Sequence, residues 1–247
     1  MTERNKEEQI MRAKTKLTRL CGILLILALL VGLLPTTALA ADVGADFTAS
    51  DTSAAVTALG GTDKATWDGS TLTLNGVNFV TTASTALQLP ANTTIVLNGE
   101  NTITGGDSDS STCFGIYAWS NLTISGTGTL NVTAGSSTKS SIGIRADDNL
   151  TITGGTVTAT GKAATDGASH GIFAGDGVTI TGGTVTATGG TAYYNSCGIY
   201  ADGGGSGERN VTISGGIVTA TGGTAHTNGT SGYFSCGICA NIVWILM

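Results

Sequence analysis

Four aspartates recur at comparable places along this chain: Asp147 with Asp148, then Asp176, then Asp202. Just before each group stands a large, flat side chain: Arg145, Phe173 and Tyr200. The series begins at Tyr117, with Trp119 close by. Carboxylates layered at one corner suit Ca2+, which takes about six to eight oxygen ligands in irregular geometry. Flat faces on a rigid surface suit the apolar C–H faces of sugar rings. The residues therefore offer Asp147, Asp148, Asp176 and Asp202 as metal ligands. Tyr117, Trp119, Arg145, Phe173 and Tyr200 are offered as carbohydrate contacts. Each set also has an ordinary use, since Asp is a common turn residue and rings in register stabilise a sheet by stacking on one another.

The cysteines and histidines supply less. Cys236-Gly-Ile-Cys239 has the spacing of a redox pair, but it lies in a strand pattern, where residues three apart face opposite ways, and no second such pair completes a zinc set. Cys197 and Cys236 occupy equivalent places in successive repeats. Strand spacing of about 4.8 Å is within reach of a disulfide. A Cys197–Cys236 disulfide and two buried thiols are the two readings, and Cys113 and Cys239 are left without a role. His170 falls in the same column as Phe114, Ile142, Cys197 and Cys236, two residues before a repeated Ile, so it reads as an inward core residue. His226 reads as a loop residue. No spacing suggests a nucleophile with its base, so no catalytic residue is assigned.

These side chains must be positioned by the repeat that carries them. "LTITGGTVTATG" (Leu150 to Gly161) recurs as "VTITGGTVTATG" (Val178 to Gly189) and "VTISGGIVTATG" (Val211 to Gly222). A Gly-Ile pair ends at Ile116, Ile144, Ile172, Ile199 and Ile238, mostly about 28 residues apart. Each unit contains three short stretches of period two rich in Val, Ile and Thr, divided by Gly, Asn and Asp. That pattern means strands and turns. Strands this short bury an apolar face only by stacking on copies of themselves. The expected fold is all-β, a right-handed parallel β-helix of about six coils, each with three strands. The Ile column should face inward. Thr156, Thr158 and Thr160 should lie in outward rows with Thr184, Thr186 and Thr188.

The expected organisation is a signal peptide at 1–40, an N-terminal cap at 41–66, the repeat domain at 67–240, and an atypical, truncated tail at 241–247. The leader rests on Arg12, Lys14, Lys16 and Arg19, the apolar run from Cys21 to Leu34, and Ala38-Leu39-Ala40. Its removal leaves 5 basic against 14 acidic residues, a net charge of −9 where the whole chain has −6. An acidic exported chain is a poor partner for nucleic acid or for anionic lipid. The expected location is secreted or at the cell surface, with no membrane contact after cleavage.

The units "GIRADDNLTITGGTVTATG" and "GIFAGDGVTITGGTVTATGG", with "TWDGSTLTLNGVNF" upstream, resemble the secreted β-helical carbohydrate-binding proteins of clostridia-like bacteria. The resemblance implies a pectate-lyase-like helix that binds plant cell-wall or other polysaccharide, acidic or cellulose-like, with Ca2+ as cofactor. It carries over no ligand residue by motif. The expected function is a non-catalytic carbohydrate-binding or adhesion module. The alternatives are a polysaccharide lyase using Arg145 beside Asp147 and Asp148, or a structural stalk.

Overall fold

The computed structural model describes residues 42–203, 210–226, 233–240 and, as backbone, 242–245. The expected leader lies outside the described residues. Three sheets of seven, eight and six strands run through the described residues, parallel except where Ala65–Trp67 pairs antiparallel with Thr71–Asn75, and one strand joins each sheet in every regular turn. In the seven-stranded sheet Cys113–Ala118, Ser141–Ala146, Ser169–Ala174 and Ser196–Ala201 are successive neighbours. The eight-stranded sheet carries Leu122–Gly126, Leu150–Ile152 and Val178–Ile180 in the same order. The six-stranded sheet carries Thr129–Thr133, Thr156–Thr160 and Thr184–Thr188. The protein is a parallel β-solenoid.

Ile116, Ile144, Ile172 and Ile199 pair in register and each is 0% exposed, so the Ile column is inward. Val157, Ala159, Val185 and Ala187 meet them from the six-stranded sheet, and Leu150, Ile152, Val178 and Ile180 from the eight-stranded one. Thr156, Thr158 and Thr160 stand opposite Thr184, Thr186 and Thr188, and the last two rows continue to Thr219 and Thr221. The regular part of this stack is about four turns, fewer than the six units in the sequence. Flanking units diverge. At one end the strand Val43–Asp46 joins the seven-stranded sheet, and a short helix, Ser53–Ala58, buries Ala55 and Leu59 nearby. At the other, Ile242–Ile245 continues the eight-stranded sheet against Asn210–Ile213, where the sequence pattern had lapsed.

One expectation about facing is overturned. Phe114, Ile142, His170, Cys197 and Cys236 do not point inward with the Ile column. Phe114 stacks on Tyr117 and lies near Arg145, and Ile142 and Cys197 are absent from the central core cluster although buried. The cause is the glycine between the columns. A Cβ on Gly143 would come within 2.6 Å of the Gly171 carbonyl oxygen and 2.7 Å of the Thr160 nitrogen, both in the interior. The register ladder passes directly from Ile142↔His170 to Ile144↔Ile172. Glycine and isoleucine thus both face in, strict alternation breaks, and residues three apart face out together.

A second repeated device lies beside this break. Ser141, Ser169 and Ser196 are each 0% exposed. The Ser141 Oγ donates to the Gly135 carbonyl (2.7 Å) and accepts from the Lys162 N–H (2.8 Å), which belongs to the next turn. Ser169 bridges the Lys162 carbonyl and the Gly190 N–H in the same way, and Ser196 bridges Gly190 and Gly223. Each buried hydroxyl is satisfied twice and stitches consecutive coils.

Gly143→Ala should therefore destabilise the protein by about 1–3 kcal/mol through overpacking against backbone that cannot rotate away. Thr158→Ala, in an outward row, should change stability by no more than about 0.5 kcal/mol. Urea unfolding of the two variants beside the wild type measures both. Equal stabilities would mean that the glycine is not needed for the close approach.

Candidate functional site

The break in alternation builds two adjacent columns on the outer face of the seven-stranded sheet. One runs Phe114, Ile142, His170, Cys197, Cys236, and the other Tyr117, Arg145, Phe173, Tyr200, Cys239. Their rings stack mainly on one another. Phe114 and Tyr117 lie 4.9 Å apart at 21°, and His170 and Tyr200 4.9 Å apart at 5°. Phe173 packs 5.6 Å from Tyr200. Arg145 fills the gap between rings, its guanidinium carbon 4.7 Å from the Phe173 centroid and 5.7 Å from that of Tyr117. The faces proposed for sugar contact are thus substantially occupied by protein neighbours. Trp119, beyond the strand end, remains 51% exposed.

The acidic corner is tied into the same ladder. Asp147 accepts from the Tyr117 hydroxyl at 2.7 Å through one oxygen and from Arg145 Nε at 2.7 Å through the other. Burial first, and this carboxylate second, push the Tyr117 hydroxyl up to about 12. Asp148 accepts from Ser120 Oγ at 2.5 Å, and Asp202 from the Tyr200 hydroxyl at 3.1 Å. Asp176 is linked to Asp148 through its main-chain N–H. Both oxygens of Asp147 are engaged, and among the described residues the converging set of three or more metal-ligating side chains is of cysteines, not carboxylates. Arg145 is similarly held, in an ion pair with Asp147 and against the Phe173 ring.

His170 is a core member of the outer ladder, 3% exposed, with Nδ1 unpartnered. Burial, assisted by the positive charge of Arg145, lowers its pKa to about 4. The cysteines also depart from expectation. Cys236 is joined to Cys239, with Cα atoms 6.1 Å apart, and the expected Cys197–Cys236 disulfide is not formed. Breaking the alternation at Gly237 lets residues three apart meet, as Phe114 and Tyr117 do. Cys197 stays a buried thiol with its Sγ 3.5 Å from that of Cys236. Its pKa is pushed up to about 12 by burial.

A different aromatic group emerges where the loops stack ahead of these strands. Ala164, Ala192 and Ala225 bridge one another in successive turns. Ala164 and Ala192, with Ala163, line a groove of ≈ 260 Å³ walled by Tyr193 and His226, whose rings are 5.4 Å apart and 16° from parallel. Tyr194 stands edge-on to Tyr193 at 5.1 Å, is 38% exposed, and packs 5.0 Å from Tyr233. The negative charge of Asp166 raises the pKa of Tyr194. Main-chain bonds hold the platform: the Tyr193 N–H donates to the Ala164 carbonyl, that of Tyr194 to Gly167, and that of His226 to Ala192. The sequence reading did not single out Tyr193, Tyr194 or Tyr233. For Tyr193 and Tyr194 the signal was the only Tyr-Tyr pair in the chain, and for Tyr233 the stretched interval between Ile199 and Ile238.

A family model described as a carbohydrate-binding domain-containing protein matches residues 53–233. No curated protein and no solved structure matches the chain.

The unfolded chain protonates His170 near its ordinary 6.5, the folded protein only near 4, so the unfolded state binds the extra proton between those values. Stability from this group is present in full above about pH 6.5 and falls as pH drops toward 4, by about 3 kcal/mol in all. His170→Phe should remove that part of the slope. Denaturant unfolding of both proteins at pH 7 and pH 4 checks it, and equal pH dependence would rule out a buried neutral imidazole.

Proposed function

The chain belongs to the family of carbohydrate-binding domain-containing proteins, and from that premise we propose that it is an exported, non-catalytic solenoid holding a polysaccharide against its side. The observation that carries the reading is the aromatic corner: an apolar groove floored by alanines, walled by Tyr193 and His226, with Tyr194 exposed beside it. A pyranose ring offers one apolar C–H face and a rim of hydroxyls. The alanine floor and ring wall suit the face, while the Tyr hydroxyls suit the rim. Repetition of the coil at strand spacing suits an extended chain better than a single sugar.

Charge narrows the ligand class. A chain at −9 after loss of its leader repels a polyuronate, and two of the carboxylates that would hold a bridging cation, Asp147 and Asp148, already accept from Tyr117, Arg145 and Ser120. The proposed ligand is therefore a neutral glycan of the plant cell-wall or glucan type. Export is supported by the basic, apolar and small-residue order of positions 12 to 40.

Affinity electrophoresis through gels containing a neutral glucan, pectate or no polymer tests this, with calcium and with chelator. Retardation is expected in the neutral glucan with or without calcium. Tyr193→Ala and Tyr194→Ala should each weaken it by about tenfold, the loss of roughly one ring-stacking contact. Tyr117→Phe should leave it unchanged. Retardation in pectate alone, and only with calcium, would return the site to the acidic corner. Binding that survives both loop variants would overturn the aromatic-corner reading.

A further inference from the structure

The outer columns end in sulfur. Cys197, Cys236 and Cys239 have Sγ atoms within 4.8 Å of one another, and the register places Cys197 beside Cys236 and Tyr200 beside Cys239. Two neighbouring strands thus deliver three sulfurs to one point, two of them from the single stretch Cys236-Gly-Ile-Cys239. The Cys197–Cys236 separation of 3.5 Å is close to the sulfur spacing required around one ion at about 2.3 Å from each ligand. Cys197 is 0% and Cys239 8% exposed, with Cys236 partly buried, so water is excluded from two of the three sulfurs. His170, next to Cys197 in register, does not converge with the three sulfurs.

We propose that these three cysteines, when reduced, form a binding site for a thiophilic d10 cation, of the class of Cu(I), Zn(II) and Cd(II), and that the Cys236–Cys239 disulfide is its closed, metal-free form. Hard cations such as Ca2+ and Mg2+ are excluded by the all-sulfur donor set. Opening the site takes two electrons. A water-soluble phosphine supplies them by attacking the disulfide: the S–S bond breaks, the phosphine leaves as its oxide with oxygen from water, and the two water protons go to the thiols. Each thiol then releases its proton as it ligates, so ion uptake is accompanied by proton release. The cation compensates buried negative charge that the apolar surroundings otherwise disfavour.

The test uses the full chain, reduced with the phosphine under anaerobic conditions and titrated with Cd(II). The readout is the ultraviolet thiolate-to-cadmium charge-transfer band. One equivalent should saturate the band, and oxidation beforehand should abolish it. Cys197→Ser and Cys239→Ser should each weaken binding by at least about tenfold, the cost of losing even a group that merely supports a ligand. Cys113→Ser should bind as the wild type does. Circular dichroism of each variant verifies that the sheets are intact, and the place of Cys239 at the end of its strand, Ser235–Cys239, makes Cys239→Ser the safer of the two. No band in the reduced protein, or a band of unchanged affinity in Cys197→Ser, overturns the three-sulfur site.

Discussion

The close approach of backbone at Gly115, Gly143, Gly171 and Gly198 governs both sides of the seven-stranded sheet. Inside, it lets one sheet press against the next: a Cβ on Gly143 would meet the Thr160 nitrogen, and one on Gly198 would meet the Ala187 carbonyl at 2.7 Å. Outside, it reverses the facing of the residue before the glycine. A strand with strict alternation would send Phe114 and Ile116 the same way. Here Ile116 enters the core while Phe114 joins Tyr117 on the surface. One missing side-chain atom therefore sets the width of the core and creates the second outer column.

That second column changes what the aromatic residues can do. A single row of rings on a sheet presents faces or edges to solvent according to rotamer. Two rows three residues apart interlock, and the rings satisfy one another. His170 is sealed to 3% exposure by its neighbours, while Arg145 is held between Tyr117 and Phe173 with Asp147 neutralising it. An ion pair at partial exposure contributes little alone. With the guanidinium already immobilised between rings, the entropy lost in forming it is smaller, and the hydrogen bond from Tyr117 adds a second partner. The acidic corner is best understood as the polar rim of this ladder. Rings less enclosed by the ladder lie instead in the loops ahead of the strands, at Tyr194, 38% exposed, and its neighbours Tyr193 and Tyr233.

The repeat itself was open to reading in the sequence because every coil obeys the same local rules. The Ile column, the Thr rows and the parallel stacking all follow from period two within strands and a near-constant interval between coils. The facing of His170 and Cys197 was not, because a period-two rule carries no information about where it fails. Only the crowding around Gly171, with the Ala159 and Gly198 carbonyls both 2.8 Å from its missing Cβ, explains the reversal. The buried Ser column was visible in principle, since Ser141, Ser169 and Ser196 all stand two residues before the glycine. Its role depends on hydrogen bonds to the next turn, which spacing alone does not give. The Tyr193–His226 wall is harder still. Its members sit in loops of different length, and only the bridging of Ala164, Ala192 and Ala225 aligns them.

The same backbone geometry serves different chemistry in different coils. At Phe114 and Tyr117, the outward pair three residues apart stacks two rings; at His170 and Phe173 it buries an imidazole; at Cys236 and Cys239 it brings two sulfurs together. Nothing in the strand has to change for this, because the glycine between the pair fixes the facing whatever the side chains are. Neighbouring coils then contribute a third group at strand spacing, Arg145 above Tyr117 or Cys197 beside Cys236. A solenoid of this kind separates what holds it together from what it offers. Its inner Ile, Val and Ala columns tolerate only apolar residues of similar volume. Its outer pairs accept ring, cation or thiol and acquire chemistry by substitution alone.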